Sequence, residues 1–403
     1  MLVLVAPGQG AQTPGFLTPW LAVPGFADRL TWWSAVAGLD LVHYGTEADA
    51  ETIKDTAIAQ PLLVAAGLGA ALALFPHPAA AFGVAGQVGA AGGHSVGEIT
   101  AAAATGVLTA EAAMVFVRER GRLMAQAAAV TPTGMTAVLG GEPDAVLAKI
   151  AEHRLVPANN NGAGQIVAAG TLEQLAAFAA DPPPGARLRA LSVAGAFHSE
   201  HMAPAVDHLA GLAKGVTAGD PGTRLVSNAD GAVVDDGREV LRRLVAQVSN
   251  PVRWDLCQET FAELGVTGIL ELPPAGTLIG LAKRALKGVE TFALKTPDDL
   301  EAAREFVAKH AEPGGAADAG RPAAAPDWRL VIAPHGGTVR RGEFAPGAAL
   351  EPNTTVATVV ARRDTHEITV QHEGEILEWL VEDGDPVAPG QPLLRVHPTG
   401  SFL

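Results

Sequence analysis

Gly93-His94-Ser95-Val96-Gly97 is the stretch with the clearest capacity for chemistry. The serine lies between two glycines, after a small-residue apolar run (88–91) and before an Ala-rich segment (96–104). That order predicts strand, sharp turn and helix, the setting in which G-x-S-x-G becomes a nucleophile elbow. The glycines allow a strained turn and keep side chains away from the serine. A helix beginning after Ser95 would aim N–H groups and a positive dipole end at a developing oxyanion. An ordinary Gly-rich turn is the plain alternative for the pattern taken alone. A second Gly-rich turn, Pro7-Gly8-Gln9-Gly10-Ala11-Gln12, follows an apolar first strand at 2–5. It lacks the third glycine of a dinucleotide fingerprint and the Gly-Lys-Ser/Thr of a P-loop. Its better use is to bring backbone N–H and a Gln amide to a reacting carbonyl; a tight turn with a solvated Gln remains open.

The chain that must position these turns has 403 residues, enough for two or three domains. With 48% hydrophobic and 18% charged residues it reads as globular. No apolar run looks long enough for a membrane span, and the N-terminus reads as a first strand rather than a signal peptide. A formal net charge of −15 argues against nucleic acid as the main partner. The single cysteine, Cys257, excludes an internal disulfide, reads as a buried apolar filler, and suggests a reducing cytoplasm.

Residues 15–80 read as mainly helical, with Trp32 and Trp33 as core and a helix starting at Gln60-Pro61 with proline in its first turn. A helix over 111–129 carries Arg118, Arg120 and Arg122, which cannot all share one face. Over residues 131–193 strands and helices alternate, predicting a small α+β subdomain inserted in a larger one. Ala194-Gly195-Ala196-Phe197-His198-Ser199 leaves a strand for a helix; further helices fall at 240–248 and 278–286, the latter with Lys283, Arg284 and Lys287 nearby. Residues 311–327, rich in Ala, Pro and Gly, read as an interdomain linker. Beyond it Gly337-Thr338-Val339 is echoed by Gly374-Glu375-Ile376, and Ala345-Pro346-Gly347 by Ala388-Pro389-Gly390. Two similar halves of short strands suggest a small barrel or flattened sandwich.

The motifs taken together resemble the malonyl-CoA:acyl carrier protein transacylases, the acyltransferases of bacterial fatty acid synthesis, and their polyketide relatives. The resemblance covers residues 1 to about 305. It rests on Gly8-Gln9-Gly10-Ala11-Gln12, Gly93 through Glu98, Arg120-Gly121, residues 159–165, Gly195-Ala196-Phe197-His198 and residues 247–254, in family order and at family spacing. It implies an α/β fold with an α/β-hydrolase-like core of parallel sheet over 1–310 and a ferredoxin-like subdomain at 131–193. Ser95 would be the nucleophile and His198 its base, with backbone N–H groups of Gln12 and Val96 as the oxyanion hole. Arg120 would clamp the malonyl carboxylate; Gln9, Asn161, Phe197 and Gln247 would contact substrate. Phe197, in place of a serine, resembles the malonyl-selecting form. The histidine would lean on a main-chain carbonyl near Gln247, no Asp or Glu offering itself as a third member. His94, His201 and His208 stay structural or exposed in this reading, and Lys283, Arg284 and Lys287 either form a solvated face or receive CoA phosphates or an acidic carrier. The implied partners are malonyl-CoA and acyl carrier protein, with no cofactor, metal or membrane.

Residues 328–403 resemble the biotinyl/lipoyl attachment domain, an all-β barrel-sandwich. Arg363 stands where that family carries its modified lysine, and no lysine follows Lys309. A guanidinium is a poor nucleophile, so the resemblance implies an unmodifiable module used for docking or stability. A polyketide-type acyltransferase, a malonyl-thioester hydrolase and a scaffold with secondary catalysis are the competing readings.

Overall fold

The computed structural model describes residues 1–75, 86–311, 329–361, 364–370 and 373–398. The chain divides into two compact units, Met1–Gly320 and Arg321–Leu403. Most of the linker expected at 311–327, and the Arg362-Arg363 turn, lie outside the described residues.

The first unit is built around β1 (Leu2–Ala6), buried at every position. Its neighbour β2 (Ala90–Gly93) ends at the candidate serine turn. The helices α1 (Phe26–Ala37), α2 (Leu41–Thr46), α3 (Thr56–Leu74), α4 (Gly97–Ala104) and α5 (Ala110–Ala128) supply the first layers around them. Then come β3 (Thr133–Gly140), α6 (Pro143–Glu152), β4 (Val156–Asn160), β5 (Gln165–Thr171), α7 (Leu172–Ala180) and β6 (Ala186–Ala190). The chain returns through α8 (Ala203–Gly215), β7 (Arg224–Val226), β8 (Val233–Val234), α9 (Gly237–Ala246), β9 (Val252–Arg253) and α10 (Trp254–Glu263). It closes with β10 (Gly268–Glu271), α11 (Thr277–Ala285), β11 (Glu290–Ala293) and α12 (Leu300–His310). The main sheet runs β11-β10-β1-β2-β7-β8, parallel except for β8. Both its faces are covered, which is why β1 reads as a continuous apolar run.

The α+β insertion has strand order β6-β3-β5-β4, antiparallel, extended by β9 running parallel to β4. With its β-α-β-β-α-β sequence this is the ferredoxin-like arrangement. Period-2 alternation serves two cores. Ile166 and Ala168 pack with Val146, Ile150 and Phe178 of the subdomain's own helices, whereas Val167 and Ala169 join the main core.

Three sequence expectations require correction. First, α3 starts at Thr56, not at Gln60: Asp55 caps it by accepting the Ala57 N–H at 2.7 Å, and Pro61 sits inside the helix. Proline there leaves the Ala57 carbonyl without its helical donor; the Arg118 guanidinium supplies one at 3.2 Å. Second, the same α3 is 19 residues long with mean hydropathy 1.9, so an apolar run does reach spanning length. It is buried among α1, α4 and α5, which is what an all-round apolar helix in a large core looks like. Third, only Trp33 of the tryptophan pair is core; Trp32, turned about 100° away, is exposed and donates to Glu111 at 3.1 Å.

The second unit, among its described residues, contains two four-stranded antiparallel sheets. The strand Gly337–Arg341 pairs with Thr355–Val360, as Gly374–Trp379 pairs with Pro392–Pro398. Val339 and Ile376, equivalent in the two halves, are both fully buried in a shared core with Val356, Val359 and Leu394. The two Pro-Gly turns match as well, Gly347 and Gly390 adopting φ of +88° and +82°.

Candidate active site

The C-terminal ends of β1 and β2 lie side by side, Ala6 opposite Gly93, so both Gly-rich turns emerge at one edge of the sheet. The carboxyl ends of parallel strands are where such sheets place ligands. Ser95 has φ of +54°, a left-handed conformation that costs a non-glycine residue free energy. The glycines around it are fixed by contact rather than by freedom alone. A Cβ on Gly93 would lie 2.1 Å from the Gly97 carbonyl, and one on Gly97 would lie 2.2 Å from the Ala6 oxygen. Gly8 is constrained likewise, its Cβ position being 2.9 Å from the His94 carbonyl oxygen. At the start of α4 the N–H groups of Gly97, Glu98 and Ile99 go to the carbonyls of His94, Ser95 and Val96. The Ser95 N–H donates to Asn228 Oδ1 at 2.8 Å. The next N–H, of Val96, stands at the helix terminus with no acceptor among the described residues.

His198 reaches the serine from the loop after β6. Its Nε2 is 2.7 Å from Ser95 Oγ and its Nδ1 is 2.8 Å from the Gln247 carbonyl oxygen. The carbonyl can only accept, so Nδ1 carries the proton and Nε2 is left as acceptor for the serine hydroxyl. Like Ser95, His198 sits at positive φ, +59°. Burial, followed by the charge of Arg120, lowers its pKa to about 3, so the imidazole is neutral across physiological pH. This has a stability consequence. Below the unfolded value of 6.5 the unfolded chain binds a proton that the folded chain refuses, so stability falls as pH drops from 6.5 toward 3. Buried Glu98, raised to about 7, acts in the opposite sense. The readout is therefore the difference between wild type and His198→Asn, asparagine being tolerant of positive φ. Urea denaturation at pH 7 and pH 5 is expected to show wild type losing about 2 kcal/mol more than the variant on acidification. Equal losses would show that His198 accepts a proton normally in the folded state.

Arg120, on α5, is fully buried. Its Nη1 donates to Gln60 Oε1 at 2.7 Å and its Nη2 to Gln247 Oε1 at 2.8 Å, with Ser95 Oγ 3.4 Å away. Nε is buried with no acceptor. Burial lowers its pKa only to about 10, so it remains charged. The neighbouring arginines do other work: Arg118 holds the Ala57 carbonyl and Arg122 pairs with Glu119. Among the described residues no carboxylate forms an ion pair with Arg120. A buried cation held by neutral amides, with donors to spare beside a hydroxyl, has the chemistry to receive an anionic group.

The remaining sequence candidates divide. Gln247 is central, bridging Arg120 to Asn228 and Glu98 through its amide and His198 through its carbonyl. Gln9 and Gln12 have their side-chain donors committed to the carbonyls of Lys54 and Ile53, at 3.2 and 3.0 Å, although Gln9 Oε1 is buried and unpartnered. Asn161 pairs its Oδ1 with His94 Nε2 at 2.8 Å. Phe197, beside His198, is buried in the main core. Lys283, Arg284 and Lys287 are exposed on and after α11, with Arg284 donating to Gln165 at 3.3 Å. Three residues given no role in the sequence reading belong to the constellation, Gln60, Asn228 and Glu98, and His94, read there as structural or exposed, joins them through Asn161. The sequence offers no Asp or Glu as a third member of the pair, and His198 meets the Gln247 carbonyl instead. Glu98 touches the Gln247 amide rather than His198.

Residues 3–305 match the family model described as acyl transferase domain. The chain is 52% identical over 301 residues to the malonyl CoA-acyl carrier protein transacylase of Mycobacterium tuberculosis, covering 75% of this chain and 98% of that one. Against the enzyme of the same name from Escherichia coli K12 it is 35% identical over 310 residues, with coverage of 75% and 98%. Among solved structures, the crystal structure of MCAT from M. tuberculosis superposes with a TM-score of 0.72 at 50% identity, covering 75% of this chain and 99% of that one. A type II PKS acyl-carrier protein in complex with its malonyl-transacylase matches with a TM-score of 0.68 at 29% identity, covering 75% and 99%.

Proposed function

The chain belongs to the acyl transferase family, and we propose that it moves malonyl groups from malonyl-CoA to the phosphopantetheine thiol of acyl carrier protein, in fatty acid biosynthesis, through an ester on Ser95. It is an acyltransferase whose partners are malonyl-CoA and acyl carrier protein. The observation that carries the reaction scheme is the Ser95–His198 pair at 2.7 Å beside a buried guanidinium that, among the described residues, forms no direct ion pair.

In the first half-reaction the Ser95 hydroxyl gives its proton to His198 Nε2 as Oγ attacks the thioester carbonyl. The oxyanion is received by the N–H of Val96 and that of Gln12, each such donor being worth about 3 to 4 kcal/mol of barrier. The C–S bond then breaks and the imidazolium returns its proton to the departing CoA sulfur. In the second half the pantetheine thiol loses its proton to His198, attacks the ester carbonyl, and Ser95 recovers its hydroxyl proton. One thioester replaces another, so no coupled energy source is required. The malonyl carboxylate, bound by Arg120 throughout, also offsets the Arg120 charge that adds to burial in depressing the His198 pKa. Correct substrate thereby strengthens its own base. The test is CoA release in the presence of holo carrier protein. Malonyl-CoA is expected to support it and acetyl-CoA to fall short by a factor of about 30 or more; equal use of both would refute the scheme.

The reading assigns residues 1–310 to the transferase, with 131–193 as its ferredoxin-like insertion, 311–327 to a linker, and 328–403 to a biotinyl/lipoyl-like barrel-sandwich. The paired sheets and repeated Pro-Gly turns of the second unit support the last assignment. Lacking any lysine after Lys309, that unit serves docking or stability rather than carrying a modified arm. A cytoplasmic setting fits a chain whose single cysteine is buried and unpaired.

A further inference from the structure

Glu98 lies on α4 three residues after Ser95 and is only 3% exposed. Nothing in the acyl-transfer scheme uses it. One carboxylate oxygen accepts the Asn228 backbone N–H at 2.9 Å and the other accepts Gln247 Nε2 in a short hydrogen bond. Gln247 in turn presents Oε1 to Arg120 Nη2. An amide can be rotated end for end, so something must choose its orientation. Here Arg120 makes the choice at one end, and Glu98, once ionised, makes it at the other. Arg120 has only donors and an ionised carboxylate only acceptors. Reversing the Gln247 amide would set N–H against guanidinium and oxygen against carboxylate.

We infer that Glu98 is a positioning residue for acyl selection: it locks the Gln247 amide so that Oε1 holds the Arg120 guanidinium in the attitude that receives the acyl carboxylate. The inference rests on the malonyl-transfer reading. Through Asn228 the same carboxylate supports the serine turn, since Asn228 donates Nδ2 to the Gly93 carbonyl at 2.7 Å and accepts the Ser95 N–H. The groups that face Glu98 include the guanidinium groups of Arg120 and Arg243 and the thiol of Cys257. A cavity of about 590 Å³, lined also by Asp230, Arg242 and Asn250, reaches Glu98 and Gln247.

Glutamine at position 98 offers one acceptor where two are needed and turns a donor toward either Gln247 or Asn228. In the full-length chain, Glu98→Gln is expected to raise the KM for malonyl-CoA about tenfold, with kcat changed by less than about threefold. The ratio of kcat/KM for malonyl-CoA over acetyl-CoA should fall about tenfold. Loss of correctly folded enzyme would instead lower kcat at constant KM. In a Gln247→Met background, which keeps the main-chain carbonyl for His198, adding Glu98→Gln should change the ratio no further. An unchanged ratio in Glu98→Gln, or an equal drop in both backgrounds, overturns the inference. If Glu98→Gln does not fold, Gln247→Met alone must lower the ratio about tenfold, and a retained ratio overturns it. Absence of malonyl preference in wild type would instead bring down the functional reading beneath it.

Discussion

Ser95→Ala is expected to reduce malonyl transfer to holo carrier protein by about 10⁴-fold or more while leaving the urea midpoint close to wild type. The two halves of that expectation come from different atoms. Chemistry depends on Oγ, the atom that His198 Nε2 approaches at 2.7 Å and that would carry the acyl group. The fold depends on the backbone of the turn, whose amide is held by Asn228 and whose flanking glycines are packed against Ala6 and each other. Alanine keeps the Cβ and the positive φ of Ser95, so the strain of the turn is retained and the network behind it is undisturbed. Stopped-flow CoA release and equilibrium denaturation on the same preparation check the two together. Transfer within about tenfold of wild type would move the nucleophile elsewhere.

Arg120→Ala carries the second large effect, on selectivity rather than on turnover alone. In wild type an acyl group without a carboxylate leaves the guanidinium buried and unpaired, an arrangement that costs about 2 to 4 kcal/mol relative to the malonyl complex. Removing the guanidinium abolishes that difference. The malonyl-over-acetyl ratio of kcat/KM should therefore fall by about 30-fold to 10³-fold. The variant also leaves Gln60 and Gln247 each short of a donor. Arg120→Lys is not expected to rescue it, because an ammonium cannot span both amides and a carboxylate as a planar fork does. Competition between the two acyl-CoA donors measures the ratio directly. A ratio unchanged in Arg120→Ala would remove the clamp from the account.

The part of the site visible in the sequence is the part set by local backbone demands or by motif order. Gly93 and Gly97 bracket Ser95 because no Cβ fits at either, and that requirement is written in the residues themselves. Arg120 and His198 stand out only through their place in a series of motifs. What stays hidden is the layer behind them. Glu98, on an Ala-rich helix, looks like any first-turn acid favoured by the helix dipole, and Asn228, after a short strand, looks like a turn residue. Their burial arises when α4 and the end of β7 are brought against the Gln247 turn, which no local pattern announces. Pro61 misplaces the start of α3 for the same reason, since the donor that compensates it comes from Arg118, far along the chain. The internal echo in the second unit was legible because both halves repeat the same strand and turn residues.

The most direct test of the central claim is the intact mass of the full-length chain after brief mixing with malonyl-CoA in the absence of carrier protein. A single added malonyl group is expected on wild type, absent from Ser95→Ala and discharged on addition of holo carrier protein. An adduct that persists in Ser95→Ala, or a wild-type chain that transfers malonyl groups without ever gaining that mass, would contradict it.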